Sequence, residues 1–452
     1  MPTTVNPATG TEIATYDRLS DADLDAALER AAAAFEMHRQ SSFDDRAASM
    51  RRLADLLDEQ KDDLGRLMTT EMGKPLDQAI AEAEKCAWVC RYYAEHAESF
   101  LADEIRETEA SKSFVAYEPL GPVLAVMPWN FPFWQAFRFA APTVMAGGVG
   151  LLKHAESVLG CGERMAALFT EAGFDDGVFQ HLVISHDQAA DVIGDDRVRA
   201  VTLTGSEKAG RTIGKLAGEA LKPSVLELGG TDAFVVLADA DLDAAIETGV
   251  KARVQNNGQS CIAAKRFILE KPIAAEYTRR FVEAMEALTV GDPMGDVDLG
   301  PLVSTKARES IHDQVERAVA DGADLLTGGT IPDGTGAYYP PTVLGNVAEG
   351  TVAFEEEIFG PVASLTVAED ADDAVRLANA TRFGLGGSVW TRDTERGERL
   401  ARAIRSGAVF VNEMTKSHPN LPFGGIGASG YGRELARQGI RAFVNAKTIW
   451  ID

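Results

Sequence analysis

"RAVTLTGSEKAGRTIGKLAGEALKPSVLELGG", residues 199–230, sets an apolar run, a Thr-Gly-Ser turn, a helical stretch and a second apolar run in succession. Both runs are rich in Val and Leu and break off at polar or glycine residues. They read as two buried strands of a parallel sheet joined by a crossover helix. The same texture begins at residue 121: "GPVLAVMPWN" (121–130) and "VGLLKHAES" (149–157) are further strand candidates, separated from the next by helical segments such as "CGERMAALFTEAG" (161–173). A second alternating series starts near 232, with "DAFVVLADA" (232–240), "AKRFILE" (264–270) and "GAVFVNE" (407–413) as strands.

The expected fold class is therefore α/β, with two α/β lobes and with polar motif ends gathered where strands stop, the usual place for ligands in open α/β sheets. Upstream the chain is helix-rich. "LSDADLDAALERAAAAFEMHRQ" (19–40) opens with a Ser20/Asp23 capping arrangement, and helical periodicity recurs near 44–69 and 76–101. "SFVAYEPLG" (113–121) and "AFVNAKTIWID" (442–452) read as strands outside the alternating pattern, paired with another subunit or with each other. The expected division is 1–105 with 121–231 as one unit, 232–433 as a second, and 106–120 with 434–452 as outlying strands.

Composition narrows the function classes. The 452 residues are 45% hydrophobic, enough for more than one core, and 44 Lys+Arg against 69 Asp+Glu give a net charge of −25. Nucleic acid and anionic membranes need basic patches, so neither is an expected partner. The abundant aspartate, with lysine scarce beside arginine, is similar to the solvated acidic surface of proteins from a high-salt cytoplasm; an ordinary acidic cytosolic enzyme fits as well. No run of about 18 apolar residues occurs, and "MPTTVNPATGTEIATYD" (1–17) lacks the pattern of a signal peptide, so a cytoplasmic location is expected. Four scattered cysteines suggest no disulfide framework. Cys86 and Cys90, in "AEAEKCAWVCRYYAEHA" (81–97), share a helical face and read as packing; no metal site is expected.

"QNNGQSCIAAKR" (255–266) is the stretch with chemical content. Cys261 stands between a polar run, in which Gly258 permits a tight loop and Asn257 and Gln259 offer amides, and an apolar run able to start a helix or a buried segment. A reactive thiol suits a helix N-terminus or neighbouring donors that lower its pKa. A buried cysteine at a loop end fits the stretch alone equally well. Elsewhere, Glu227 closes a strand just before Gly229 and Gly230, and Asn130 sits between Pro128 and Pro132, which restrict the backbone around its amide.

Taken together and in order, "PWNFP", "LLKHAES", "VTLTGSEKAG", "LELGG", "NNGQSC", "EEEIFGPV" and "LPFGG" resemble the NAD(P)-dependent aldehyde dehydrogenase superfamily across nearly the whole chain. The details look most like the short bacterial and archaeal succinate-semialdehyde dehydrogenases. The resemblance implies that Cys261 attacks the aldehyde to give a thiohemiacetal, that the Asn130 amide and the Cys261 N–H hold the oxyanion, and that Glu227 activates the water that hydrolyses the thioester. It further implies a cofactor cleft formed by Trp129, by Lys153 and Glu156 at the adenosine ribose, by Thr204, Gly205 and Ser206 at the pyrophosphate, and by Glu357 and Phe359 at the nicotinamide end.

A carboxylate at Glu156 accepts from ribose hydroxyls and repels a 2′-phosphate, so NAD is expected in preference to NADP, with NADP possible. Arg138 is the expected partner for a substrate carboxylate, with Ser417 as a second contact. An arginine that some relatives place six positions before the nucleophile is replaced by Gln255. The expected substrate is a small-molecule aldehyde, foremost succinate semialdehyde; a neutral or hydroxylated aldehyde is the alternative, and a non-catalytic binder or thiol esterase on the same fold is a more distant one. The resemblance implies that 1–105 with 121–231 is a cofactor-binding domain, 232–433 a catalytic domain and 106–120 with 434–452 oligomerisation strands, and it implies a homodimer or homotetramer.

Overall fold

A computed structural model describes all 452 residues. The opening stretch folds as one strand–helix–strand unit. Ala200–Thr204 is buried at every position, as a strand covered on both faces must be, and Ser224–Glu227 runs parallel to it with Thr204 opposite Glu227. Between them lies the helix Glu207–Glu219, capped by Ser206, whose Oγ accepts from Ala209 N at 3.3 Å.

That unit is part of a six-stranded sheet in the order Gly430–Tyr431, Ser224–Glu227, Ala200–Thr204, Pro122–Met127, Val149–His154, Phe179–His181, parallel except for the first strand. Chain order reverses between Pro122–Met127 and Ala200–Thr204, which opens a crevice at the strands' C-terminal ends. The closing strand Gly430–Tyr431 comes from the chain's far end, inside the span read as the catalytic domain.

A seven-stranded sheet forms the second lobe: Asp324–Thr327, Thr342–Gly345, Val362–Ala368, Arg266–Glu270, Ala233–Val236, Gly387–Trp390, Phe410–Val411, again parallel except for the first. The two outlying strands pair with each other: Val444–Ile451 lies antiparallel to Lys112–Pro119 over its whole length, and Glu104–Ile105 flanks the latter. Val444–Ile451 is left as an edge, with Trp450 and Ile451 exposed.

The N-terminal helix Asp21–His38 starts at Ser20, whose Oγ accepts from Asp23 N, as the capping pattern predicts. The helix expected over 44–69 is in fact two, Phe43–Glu59 and Lys61–Met72, broken at Gln60, which leaves helical geometry (φ −111°). Asp62 and Asp63 then occupy a new first turn, where the helix dipole favours carboxylates; periodicity alone does not register such a restart. Leu76–Leu101 is the longest helix, and it buries Cys86 and Cys90. No helix is long and apolar enough to cross a membrane.

Candidate active site

Cys261 lies in a turn that leads into the strand Arg266–Glu270, not at a helix N-terminus. The loop before it is fixed from several directions. Asn256 and Asn257 adopt left-handed backbone (φ 56° and 58°), a region that asparagine tolerates better than most residues, and Gly258 continues it at φ 72°. A side chain at Gly258 would run into the backbone of Gly360, so this loop interlocks with the "EIFGP" segment. Asn257 Nδ2 donates to the carbonyls of Gly73 and Pro301, both at 2.8 Å, and its Oδ1 accepts from Gly300 N at 2.9 Å. The amide expected to tune the thiol is thus spent on holding the loop. Lys265 does similar work: its Nζ donates to the carbonyls of Ser260 (3.0 Å) and Cys261 (2.7 Å).

The thiol is not activated at rest. Burial pushes Cys261 up to about 12, outweighing the downward pull of Arg138 and Lys265. The expectation of a lowered thiol pKa fails because the side-chain amides of Asn256 and Asn257 are taken up by backbone groups of this loop and of neighbouring segments, while burial weighs on the sulfur.

Asn130 does meet this loop. Its Nδ2 donates to Gln259 O at 2.9 Å, its Oδ1 accepts from Gln135 Nε2 at 3.1 Å, and its carbonyl accepts from Asn256 Nδ2 at 2.7 Å. One Nδ2 hydrogen is committed, which leaves the other for a ligand. The Asn130 loop is held in turn by Glu82, whose Oε1 accepts from Phe133 N and Trp134 N, each at 2.9 Å, while its other oxygen pairs with buried Lys74. Glu227, at the end of its strand, is 2% exposed, and neither of its oxygens has a partner. Burial first, then the neighbouring Glu434, raises its pKa well above the usual carboxylate range. A carboxylate in that state is a stronger base than an exposed one.

Cys261 lines a cavity of about 1000 Å³, whose wall also carries Arg138, Lys85, Ser417 and Gln255. Arg138 is not free there. It is buried, pairs through Nε with Glu434, stacks 4.3 Å from the Phe423 ring centroid, and donates through Nη2 to Thr204 Oγ1 at 3.4 Å. One edge of the guanidinium that the sequence reading assigned to a substrate carboxylate is therefore engaged by the chain's own Glu434, while Nη1 has no partner within the chain and Arg138 lines the cavity. Arg253 is fully buried and donates to Gly258 O at 2.6 Å, so it does not replace the arginine missing at Gln255. Ser417 Oγ accepts from Lys85 Nζ at 2.9 Å and from Trp134 Nε1 at 3.1 Å. Sequence reading passed over Lys85, Lys265 and Glu434; each is an ordinary charged residue in its own stretch, and only tertiary packing brings it to the site.

On the cofactor side, the structure divides the "TGS" turn. The Thr204 hydroxyl accepts from Arg138 and keeps its own hydrogen, whereas Gly205 N donates to Glu227 O at 3.0 Å and is not open to a phosphate. Ser206 caps its helix, and the N–H groups of the first two helical residues, Glu207 and Lys208, have no intrahelical partner. Lys153, next to last in the strand Val149–His154, is buried, which lowers its pKa. Trp129 and Phe359 meet edge to face at 5.8 Å, and Glu357 accepts from Gly230 N at 3.1 Å and pairs with Lys265 at 3.2 Å. A buried ammonium, an open helix N-terminus, a carboxylate and two aromatic faces make a donor set that fits a nicotinamide dinucleotide.

The description "aldehyde dehydrogenase family" applies to a family model that matches residues 2–449. The chain belongs to the aldehyde dehydrogenase family. Its membership agrees with the expected family, fold class and enzyme class. Among relatives, the family member named succinate-semialdehyde dehydrogenase [NADP(+)] 1 from Mycobacterium tuberculosis is 51% identical over 452 residues, 99% of either chain. A succinate-semialdehyde dehydrogenase [NADP(+)] from Mycobacterium avium is 51% identical over 453 residues, covering 99% of this chain and 96% of the relative. The crystal structure of succinic semialdehyde dehydrogenase from Streptococcus pyogenes in complex with NADP+ superposes with a TM-score of 0.98 at 36% identity, covering all of both chains.

These relatives do not support the expected preference for NAD. The structure supplies a physical reason why Glu156 alone does not decide it: Arg18 Nη2 lies 2.6 Å from Glu156 Oε1, and that hydrogen bond, ahead of all other influences, lowers the Glu156 pKa. The repulsion attributed to the carboxylate is offset by an arginine far away in the sequence.

Proposed function

We propose that this aldehyde dehydrogenase oxidises succinate semialdehyde to succinate, using NAD(P). The observation that carries this reading is the placement of the Cys261 thiol on a cavity whose wall bears Lys85 and Arg138, in a chain 51% identical to enzymes named for that substrate.

The sulfur of Cys261, once deprotonated, adds to the aldehyde carbon, and the C–O electrons move to oxygen. Asn130 Nδ2 and the Cys261 N–H donate to that oxyanion, where donors fixed in advance act most strongly. A nicotinamide dinucleotide, when bound, supplies the acceptor for the hydride that leaves the same carbon, and Cys261 is left carrying the acyl group as a thioester. Glu227 takes a proton from water as the water attacks the thioester, the C–S bond breaks, and the carboxylic acid departs. Ser206 and the N–H groups of Glu207 and Lys208 hold the phosphates, Lys153 the adenosine ribose, Glu357 the nicotinamide ribose, and Trp129 and Phe359 line the cleft. Arg18 and Glu156 together admit either form of the adenosine ribose.

Initial rates of nicotinamide reduction over a panel of aldehydes, with NAD and NADP, at low and high KCl, test this reading. Succinate semialdehyde should give the highest kcat/KM, and Cys261→Ala should abolish it; a neutral aldehyde favoured over succinate semialdehyde would overturn the substrate assignment. Assembly into a homodimer or homotetramer through the exposed edge of Val444–Ile451 belongs to the same proposal, as does a cytoplasmic location. Sedimentation of the intact chain and of a variant with proline within that strand tests the assembly.

A further inference from the structure

The peptide carbonyls that lead up to the nucleophile are held one after another by side chains. Gln259 O accepts from Asn130 Nδ2 at 2.9 Å and from Asn256 Nδ2 at 3.0 Å. Ser260 O accepts from Lys265 Nζ at 3.0 Å and from Ala263 N at 3.2 Å, and Cys261 O accepts from the same Nζ at 2.7 Å. Lys265 is buried, so these bonds are made where water competes little. Ala263 O at 3.3 Å and Glu357 Oε1 at 3.2 Å share its remaining hydrogen, and the Glu357 carboxylate compensates the buried ammonium.

The bond to Ser260 O bears on the reaction, because that carbonyl shares a planar trans peptide with the N–H of Cys261. The direction of the C=O therefore fixes the direction of the N–H, which points the opposite way. Both lone pairs of Ser260 O are used, whereas the Cys261 N–H donates to no group of the chain. A charged donor at the carbonyl oxygen also polarises the peptide, and a hydrogen bond accepted there strengthens the one donated at the nitrogen. The result is a free N–H, aimed and polarised from behind, on the residue that carries the sulfur.

We infer that Lys265 is a positioning residue for acyl transfer at Cys261: through the Ser260 carbonyl it aims and polarises the N–H that meets the oxyanion. This rests on the proposed roles of the Cys261 thiol and N–H, and adds the side chain that sets the latter. Lys265 touches neither substrate nor sulfur; it acts through the peptide.

The same lysine pulls the Cys261 thiol pKa downward, so an effect on the sulfur has to be separated from one on the N–H. Two reactions of the intact protein, neither needing a nicotinamide, separate them. p-Nitrophenyl acetate acylates the thiolate: the S–C bond forms, the carbonyl electrons move to oxygen, and the oxyanion collapses with loss of p-nitrophenolate. Iodoacetamide alkylates the same sulfur by displacement of iodide, and no oxyanion forms. The ratio of kcat/KM for the ester to the second-order rate of alkylation, both at one pH, cancels the thiolate fraction.

Lys265→Met should lower that ratio about 10- to 100-fold, short of the roughly 10²- to 10³-fold that follows outright loss of an oxyanion donor. Lys265→Gln, which keeps N–H donors without the charge, should lie between Lys265→Met and the parent, and decides the matter if Lys265→Met does not fold. Equal losses in both reactions, or none in either, leave the ratio unchanged and overturn the inference. If Cys261→Ala still hydrolyses the ester at the parent rate, the proposed nucleophile fails and the inference falls with it, a result distinct from an unchanged ratio.

Discussion

Glu82 and Glu227 are buried to nearly the same degree, 4% and 2% exposed, and the fold treats them in opposite ways. Glu82 has every need met, with a lysine on one oxygen and two backbone donors on the other. Glu227 has nothing, and a second buried carboxylate, Glu434, lies close enough to raise its pKa further. A satisfied buried charge fixes geometry, here the entry into the Asn130 loop, whereas an unsatisfied one is held ready to exchange a proton. The pair separates scaffold from chemistry without reference to position in the sequence.

The largest effect should come from Glu227→Gln. Turnover should fall about 10²- to 10⁴-fold, while the urea midpoint stays level or rises because a buried charge has been removed. A midpoint that falls would place Glu227 with Glu82 and break the contrast. Glu82→Gln should do the reverse: leaving Lys74 buried without its counter-charge should cost about 3–5 kcal/mol of stability, read from urea denaturation, with activity lost only in proportion to unfolding and to loosening of the Asn130 loop.

Arg138→Ala comes next. It leaves Glu434 unpaired beside Glu227, so kcat should drop about 10-fold or more on succinate semialdehyde and on butanal alike. A loss confined to the carboxylate substrate would show that Arg138 meets the substrate carboxylate, the role that the sequence suggests.

The contrast also has a pH signature. Glu227 has its pKa raised on folding, so its contribution to stability is fully present below the unfolded value of about 4.5 and is lost as pH rises toward the folded value. The stability gap in favour of Glu227→Gln should therefore widen as pH rises through that interval and then level off, as measured by urea midpoints at several pH values. The smallest effect is expected at the exposed Arg18–Glu156 pair. Arg18→Ala should weaken NADP binding relative to NAD by a few-fold, in line with about 0.2–1 kcal/mol for an exposed pair, read by quenching of tryptophan fluorescence on titration with each dinucleotide.

The parts of this picture that were legible beforehand are those written locally. Alternating apolar runs and turn residues mark the strands near 122–127, 149–154, 200–204 and 224–227, and the ordered motifs mark Cys261, Glu227 and Asn130. What stayed hidden depends on distance. Arg18 reaches Glu156 across the whole N-terminal helical region, and Glu434 reaches Arg138 from the far end of the chain. The break at Gln60 was hidden for a different reason: two helices with similar periods, placed end to end, look like one.

Cys86, Cys90 and Cys161 are completely enclosed, and only Cys261 reaches a cavity. A maleimide added to the folded protein should therefore modify each chain once, and the label should count competent centres in a preparation without any turnover being measured. Because the thiol is protonated at rest, that labelling should be slow at neutral pH and quicken as the solution is made alkaline.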